Sequence, residues 1–528
     1  MHLRTLAVLT TALLLTGCGG GGGGGGGGNP PPPPPPPPPP SQPQVTITPA
    51  QADLTTHTGQ LFTCAVTNSA NTQCSLSVQE AGGGRVSIDN VYVPPTTPGT
   101  YHVVAASTAD PTRTATATIR VTAAPTVATR PWVTAYYAGW YWDQMYPPQA
   151  VDMTAMTHFV FGRVAPGGGS LGGAAGEVVL GGGNSHDPGL SPDGVRSVED
   201  YLIRRAHTAD VRALLMLGGD GLDGRGFLLS TTDAVRPTFV SNIVDYMVAH
   251  DYDGVDVDWE NELQGNDGMG VTAAEARRRL IALITEIRAE ANSRPRYQGA
   301  NRPVLVTFPG YAVSINFLEP GGRVEQWQAD VAMLVDQYNL MSYGIGTAFP
   351  ADGWRSWLSS PIFGATGTTP YDLDSSIRAY VATGVPRSRI GVGIGFYGIY
   401  YSPPVTGPRQ AIAGSDFEAN DVALRYSVLV EKGYLSNGTY HWDAEARVGY
   451  RSYGGAGYIP AIDPASTPAG FLSYENEQSI LAKGAWVRET GVGGAIVWTL
   501  NYGWLNGPQT NPLLAAVKQG FLTPAPAP

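Results

Sequence analysis

From Pro131 onward, short apolar runs alternate with stretches whose apolar residues fall three and four apart. These are the two periods that separate strand from helix. Residues 132–137, 158–161, 213–217, 255–258, 304–308, 338–341, 390–396 and 494–498 read as eight strands. Residues 198–209, 236–249, 273–291, 375–383 and 479–489 read as helices between them, and the Ala/Glu/Arg-rich start of the third is a strong helix former. Strands joined by helical crossovers predict a (β/α)8 (TIM) barrel over 131–398 and 474–522. In that architecture, polar residues at the C-terminal ends of the strands build the site.

The rest of the chain carries other patterns. Over 44–122, the runs 45–48, 60–66, 101–106 and 115–121 are strand-like, with Pro98-Gly99 and Asp110-Pro111 as turns, which predicts a separate all-β sandwich. Residues 123–130 read as a linker. Between the seventh and eighth strands, residues 399–473 are too long and too aromatic, chiefly in Tyr, for a plain loop or a disordered insertion, and predict a folded insertion domain. Residues 523–528 read as a tail. At the other end, His2 and Arg4 precede an apolar run to Leu15, the pattern of an export signal over 1–17 and too short for a membrane span. Residues 18–43 form a tether: Gly19 to Gly28 is all glycine and flexible, and Pro30 to Pro40 is all proline and stiff, reaching about 34 Å.

One stretch concentrates the chemistry. Asp253-Gly254-Val255-Asp256-Val257-Asp258-Trp259-Glu260 leaves an apolar lead-in. Period two sends Asp256, Asp258 and Glu260 to one side and the valines to the other. Crowded carboxyls destabilise one another's charge, so one keeps its proton, and a protonated carboxyl in a cleft is a general acid. A solvated edge and a Ca²⁺ or Mg²⁺ ladder are the competing readings; Val255, Val257 and Trp259 argue against the exposed edge.

The spacing Asp253-Gly254-x-Asp256-x-Asp258-x-Glu260 resembles the signature of family 18 glycoside hydrolases, the chitinase family. Three further segments are similar to that family: Leu217-Gly218-Gly219 after strand three, Gln337-x-x-x-Met341-x-Tyr343 on strand six, and Gly391-x-Gly393-x-Gly395-Phe396-Tyr397-Gly398 on strand seven. The resemblance implies chitin hydrolysis at β-1,4 bonds with retention, endo action expected over exo, and the substrate's N-acetyl group as nucleophile. It implies Glu260 as general acid/base, Asp258 on the acetamido N–H, Asp256 sharing a proton with Asp258 from behind, and Tyr343 on the acetamido carbonyl. Trp498 would form the floor under the cleaved sugar and Met341 the base of the pocket. Tyr136, Phe161, Trp140 and Trp142 are candidate sugar contacts, as, more weakly, are Tyr141, Trp354 and Trp357. Asp253, Gly218 and Gly219 are expected to be structural. The 399–473 segment resembles the family's small α+β insertion, which forms one wall of the cleft. The family usually places Asp or Asn after the strand-six tyrosine; here that position is Gly344. Two alternatives remain: an endo-β-N-acetylglucosaminidase acting on N-glycans, and an inactive chitin-binding protein. Retention of Glu260 argues against the second.

Composition narrows the partners. With 14% charged residues and a net charge of -11, the chain lacks the basic footprint of a nucleic-acid binder. Trp 11 and Tyr 26 suit a neutral sugar polymer. Chitin and N-acetylglucosamine oligomers are the expected partners, the expected state is a monomer, and no cofactor or metal is needed, the eight histidines lacking metal spacing. Leu15-Thr16-Gly17-Cys18 resembles a bacterial lipobox with Cys18 as the lipidated residue, implying an exported lipoprotein at the outer membrane or cell surface, or a secreted protein if Cys18 is not lipidated. In an exported chain Cys64 and Cys74 are expected to pair. The Pro98-Gly99-Thr100-Tyr101 segment and the strands after it resemble bacterial immunoglobulin-like repeats.

Overall fold

The computed structural model describes residues 42–124, 130–299, 303–313, 324–454 and 469–523. The export signal, Cys18, most of the Gly/Pro tether, most of the 123–130 linker and the last five residues of the tail lie outside them. No helix among the described residues is long and apolar enough to cross a membrane.

Eight parallel strands close into a barrel: Trp132–Ala138, His158–Pro166, Arg212–Gly218, Gly254–Asp258, Leu305–Gly310, Gln337–Leu340, Ile390–Gly395 and Gly494–Trp498. The first strand pairs with both the second and the eighth, which completes the circle. The acidic strand lies between the third and fifth. All five of its residues are buried. Val255 and Val257 pack outward with the helices, while Tyr136, Val160, Leu214, Met216 and Ile496 fill the lumen. A strand covered on both faces must be apolar on both unless chemistry needs otherwise. The carboxyls on its inner face are therefore the exception the rest of the barrel is built around.

The helices begin where the sequence supplies caps. Ser197 accepts from the Asp200 N–H at the start of Val198–Thr208, and Thr272 from the Glu275 N–H at the start of Ala273–Ser293. Asn476 and Ser479 cap each other reciprocally at Glu477–Thr490. Each satisfies backbone donors that a helix start leaves open. Two of the helices that escaped the periodicity show why. Gln326–Leu334 is buried nearly all round, so it shows no polar face, and Asp223–Ser230 is short and glycine-containing.

Strand seven runs straight into the insertion. Gly398–Tyr401, Phe417–Glu418, Thr439–Asp443, Val448–Tyr453 and Gly470–Tyr474 form a five-stranded antiparallel sheet, accompanied by the short helix Tyr426–Glu431. Its core holds Trp354, Leu358, Ile399, Tyr401 and Phe471. The α+β expectation for this segment thus matches the elements seen.

The N-terminal region is β-rich. Gln51–Thr55, Thr114–Thr122, Gly99–Ser107 and Cys74–Val78 form one sheet, with a two-stranded and a three-stranded sheet beside it. Cys64 and Cys74 are bonded. The region packs on the barrel: the Gly59 N–H donates to Met333 O at 3.0 Å and Arg85 to Thr383 O at 3.3 Å. Both acceptors lie just before strands six and seven, at the barrel end away from the acidic strand's tip. Contacts at that end of such a barrel serve stability rather than chemistry.

Candidate active site

The acidic strand delivers its side chains in sequence. Asp253, at the entrance, is held by the Ala213 N–H at 2.9 Å, His207, Arg212 and Arg296. Burial raises its carboxyl, but these donors win and keep it well below the usual range. Its role is structural.

Asp256 is fully buried inside the barrel. The Tyr136 hydroxyl donates to its Oδ2 at 2.8 Å, and the Thr307 hydroxyl donates to Oδ1. Burial pushes this carboxyl up to about 6, with both hydroxyls pulling the other way. Thr307 is a participant the sequence reading missed. It is the lone polar side chain in an otherwise apolar run, and that was its only signal.

Asp258 stands next along the strand, also buried, and its Oδ1 has no donor among the described residues. Burial, then the charges of Glu260 and Asp256, drive it well above the carboxylate range, with Arg163 opposing. Glu260 is pushed up to about 7 by burial, then by the charges of Asp256 and Asp220, while its hydrogen bond with Asp258 lowers it. That bond raises Asp258 and lowers Glu260, so of the two carboxyls Asp258 holds its proton the more firmly. The sequence reading paired Asp258 with Asp256; the geometry instead commits both Asp256 oxygens to Tyr136 and Thr307.

The glycine pair after strand three makes room for this arrangement. The Gly219 N–H donates to Asp258 O at 2.9 Å. Gly218 and Gly219 have φ of +99° and +92°, and a Cβ on Gly219 would meet Asp258 Oδ2 at 2.7 Å. Gly219→Ala should therefore lower the melting temperature, at a cost of about 1–3 kcal/mol, and disturb Asp258. Thermal unfolding of the variant checks this; an unchanged Tm would contradict it.

Aromatic residues wall the cleft. Trp498, at the end of strand eight, meets Tyr136 at 5.7 Å and Trp140 at 6.5 Å between ring centroids. Tyr343 packs edge-on to Tyr397 at 5.9 Å, and burial, then Tyr397 and the Glu260 and Asp258 charges, raise its hydroxyl well above 10.0. A Cβ on Gly393 would meet the Tyr343 ring at 2.6 Å, so the strand-seven glycine run is a flat seat for Tyr343 and not a phosphate loop. Met341 packs against the lumen cluster with Tyr343 and Trp498.

Four aromatic candidates fall elsewhere. Phe161 is fully buried on the outer face, stacked on Tyr137 at 6.3 Å and edge-on to His186. Period two puts it opposite Val160, which faces the lumen. Trp142 shares the turn of Trp140, but its indole N–H donates to Asn184 Oδ1 at 2.7 Å and it packs on the outer core. Trp354 belongs to the insertion core, and Trp357 is wholly buried, its indole N–H on Tyr371 O.

Among the described residues, Glu199, Asp200 and His250 lie close enough to share an ion. Glu199 is already engaged by Tyr246 and Tyr252, and this group sits on helices Val198–Thr208 and Arg236–Ala249, away from the acidic strand's tip.

The arrangement is an acid–base site at the C-terminal mouth of a (β/α)8 barrel. A family model for glycosyl hydrolases family 18 matches residues 133–503, and the chain belongs to that family. Chitinase A1 of Niallia circulans is 23% identical over 326 residues, covering 60% of this chain and 44% of the relative. A probable endochitinase of Caenorhabditis elegans is 26% identical over 317 residues, covering 57% of this chain and 45% of the relative. The chain thus spans under half the length of both. The crystal structure of Ostrinia furnacalis Group IV chitinase in complex with allosamidin matches with a TM-score of 0.54 at 19% identity, over 74% of this chain and 98% of that one.

Proposed function

We propose that this chain is a chitinase, cutting β-1,4 bonds between N-acetylglucosamine units with retention and with the substrate's own N-acetyl oxygen as nucleophile. The observation that carries this is the buried Asp258 carboxyl one strand step from Glu260, its Oδ1 without a donor among the described residues. A retaining hydrolase needs a nucleophile close to its acid, and the carboxyl nearest Glu260 is one that keeps its proton. A neutral carboxyl is a poor nucleophile. When its proton passes by way of Glu260 to the leaving oxygen, the carboxylate left behind accepts the acetamido N–H and opposes the positive charge that develops there. The tethered acetamido oxygen then attacks the anomeric carbon as Glu260 protonates the leaving oxygen, and no second molecule has to be brought in. Tyr343 aligns that acetamido oxygen, while Trp498, with Trp140 beside it, presents an indole face to the sugar. The relatives named above, chitinases in name, support the substrate.

A matched pair of substrates tests the nucleophile. N-acetylglucosamine tetramer should be cleaved and its fully deacetylated counterpart should not. Equal cleavage of both would point to a protein nucleophile.

Acid catalysis needs Glu260 protonated, and its carboxyl sits at about 7. The kcat/KM of the free enzyme should therefore fall as pH rises through about 7. A pH profile on soluble oligomers reads this; an alkaline limb near the ordinary glutamate value of 4.5 would contradict it.

The same reading extends to the N-terminal part. Lipidation at Cys18 would hold the enzyme at an outer membrane or cell surface, with the Gly/Pro tether and an immunoglobulin-like module as spacers. Labelling of the intact chain with a fatty-acid analogue, lost in Cys18→Ala, tests the anchor.

A further inference from the structure

The acidic strand accounts for three of the carboxyls at this site. A fourth comes from the insertion. Asp421 lies between strand Phe417–Glu418 and helix Tyr426–Glu431, in a part of the chain with no periodic pattern. Its Oδ1 accepts from the Val422 N–H at 2.8 Å, which fixes the carboxylate's direction. Its Oδ2 accepts from the Trp498 indole N–H at 2.8 Å and from the Tyr502 hydroxyl at 3.3 Å. Trp498 and Tyr502 flank the end of strand eight, so one carboxylate from the insertion clamps the barrel's last strand end.

The clamp reaches the reacting side chains. Trp498 touches Tyr136, whose hydroxyl holds Asp256. The Asp421 charge is also felt at the hydroxyls of Tyr343 and Tyr397. Across the site, the turn after Tyr343 offers no side chain: Gly344 has φ of +63°, and a Cβ there would meet the Tyr397 hydroxyl at 3.0 Å. The insertion thus adds one carboxylate to those whose charge reaches these tyrosines, and the turn after strand six adds none.

We infer that Asp421 is a positioning residue for hydrolysis: it fixes the plane of Trp498 under the cleaved sugar and makes the insertion part of the catalytic unit. This rests on the proposed chitinase reading. A charge-assisted bond from an indole N–H leaves the ring one orientation. An indole that rotates freely still stacks on a sugar, but it no longer holds the ring in the geometry that reacts. Loss of Asp421 should therefore act on turnover more than on binding.

The test uses the intact chain and N-acetylglucosamine tetramer. Asp421→Ala should lower kcat about 10–100-fold with KM changed less than about threefold. Asp421→Asn keeps an acceptor oxygen for the indole and should recover most of that loss. In a Trp498→Phe background, which lacks the N–H, Asp421→Ala should add little, because the two act as one unit. Full additivity of the two changes, or a parent-like kcat in Asp421→Ala, would overturn the inference while leaving the chitinase reading in place. If the parent cleaves nothing, that reading fails. The inference, which concerns turnover, falls with it, an outcome distinct from an active parent matched by Asp421→Ala. A variant whose Tm falls with that of Asp421→Asn, and whose loss is not recovered by asparagine, marks a structural role only and also overturns it.

Discussion

Glu260→Gln should lower kcat/KM on N-acetylglucosamine oligomers by about 10²–10⁴-fold while leaving oligomer binding intact, since the amide keeps the shape and loses only the proton. The same change should stabilise the fold. The folded protein raises Glu260 from 4.5 to about 7, so between those values the native state binds the proton more tightly than the unfolded chain. This group's contribution is fully present below about 4.5 and is lost as pH rises through about 7. Above that, the parent carries a buried charge that the amide variant does not. The variant should gain about 1–3 kcal/mol near neutral pH, with the gain closing toward pH 4.5. Thermal unfolding of both proteins across this range checks it. A variant less stable than the parent at neutral pH would mean that Glu260 is held charged by partners, contrary to the site described.

Asp258→Asn should be nearly as damaging, by about 10²–10³-fold in kcat with KM little changed. Asparagine mimics the neutral carboxyl of the resting site, so folding and binding should survive. It cannot become negative when the acetamido group acquires positive charge, and that is the interaction made only in the transition state. A loss expressed mainly in KM would place Asp258 in ground-state binding instead.

The barrel was readable because its strands are buried runs between amphipathic helices. Strand eight falls on Gly494–Trp498 as read, and helix Arg236–Ala249 as well. The acidic ladder was readable because a carboxyl on every second residue has no reason to exist in an inert sheet. Phe161 was misplaced for the converse reason. His158-Phe159-Val160-Phe161 is apolar on both faces, so period two gives no sign of which face is the lumen, and the register there is irregular between Phe161 and Val164. In the β-rich region, Arg85–Val86 and Val91–Val93 are too short to show a period, and they form because tertiary pairing holds them. Cys74–Val78 does alternate and was within reach. Asp421 was beyond reach: one acid among several in a 75-residue-scale insertion (roughly, by its bounds) gains meaning only when the fold brings it to Trp498.

The central claim is that cleavage is a double displacement, begun by the acetamido group, and not a single attack by free water. The direct measurement is the anomer released first from N-acetylglucosamine tetramer, followed by proton NMR before mutarotation. Double displacement through the substrate's own oxygen predicts the β-anomer, with release abolished in Glu260→Gln. Initial appearance of the α-anomer would mean a single displacement by water, and would contradict the mechanism at its first step.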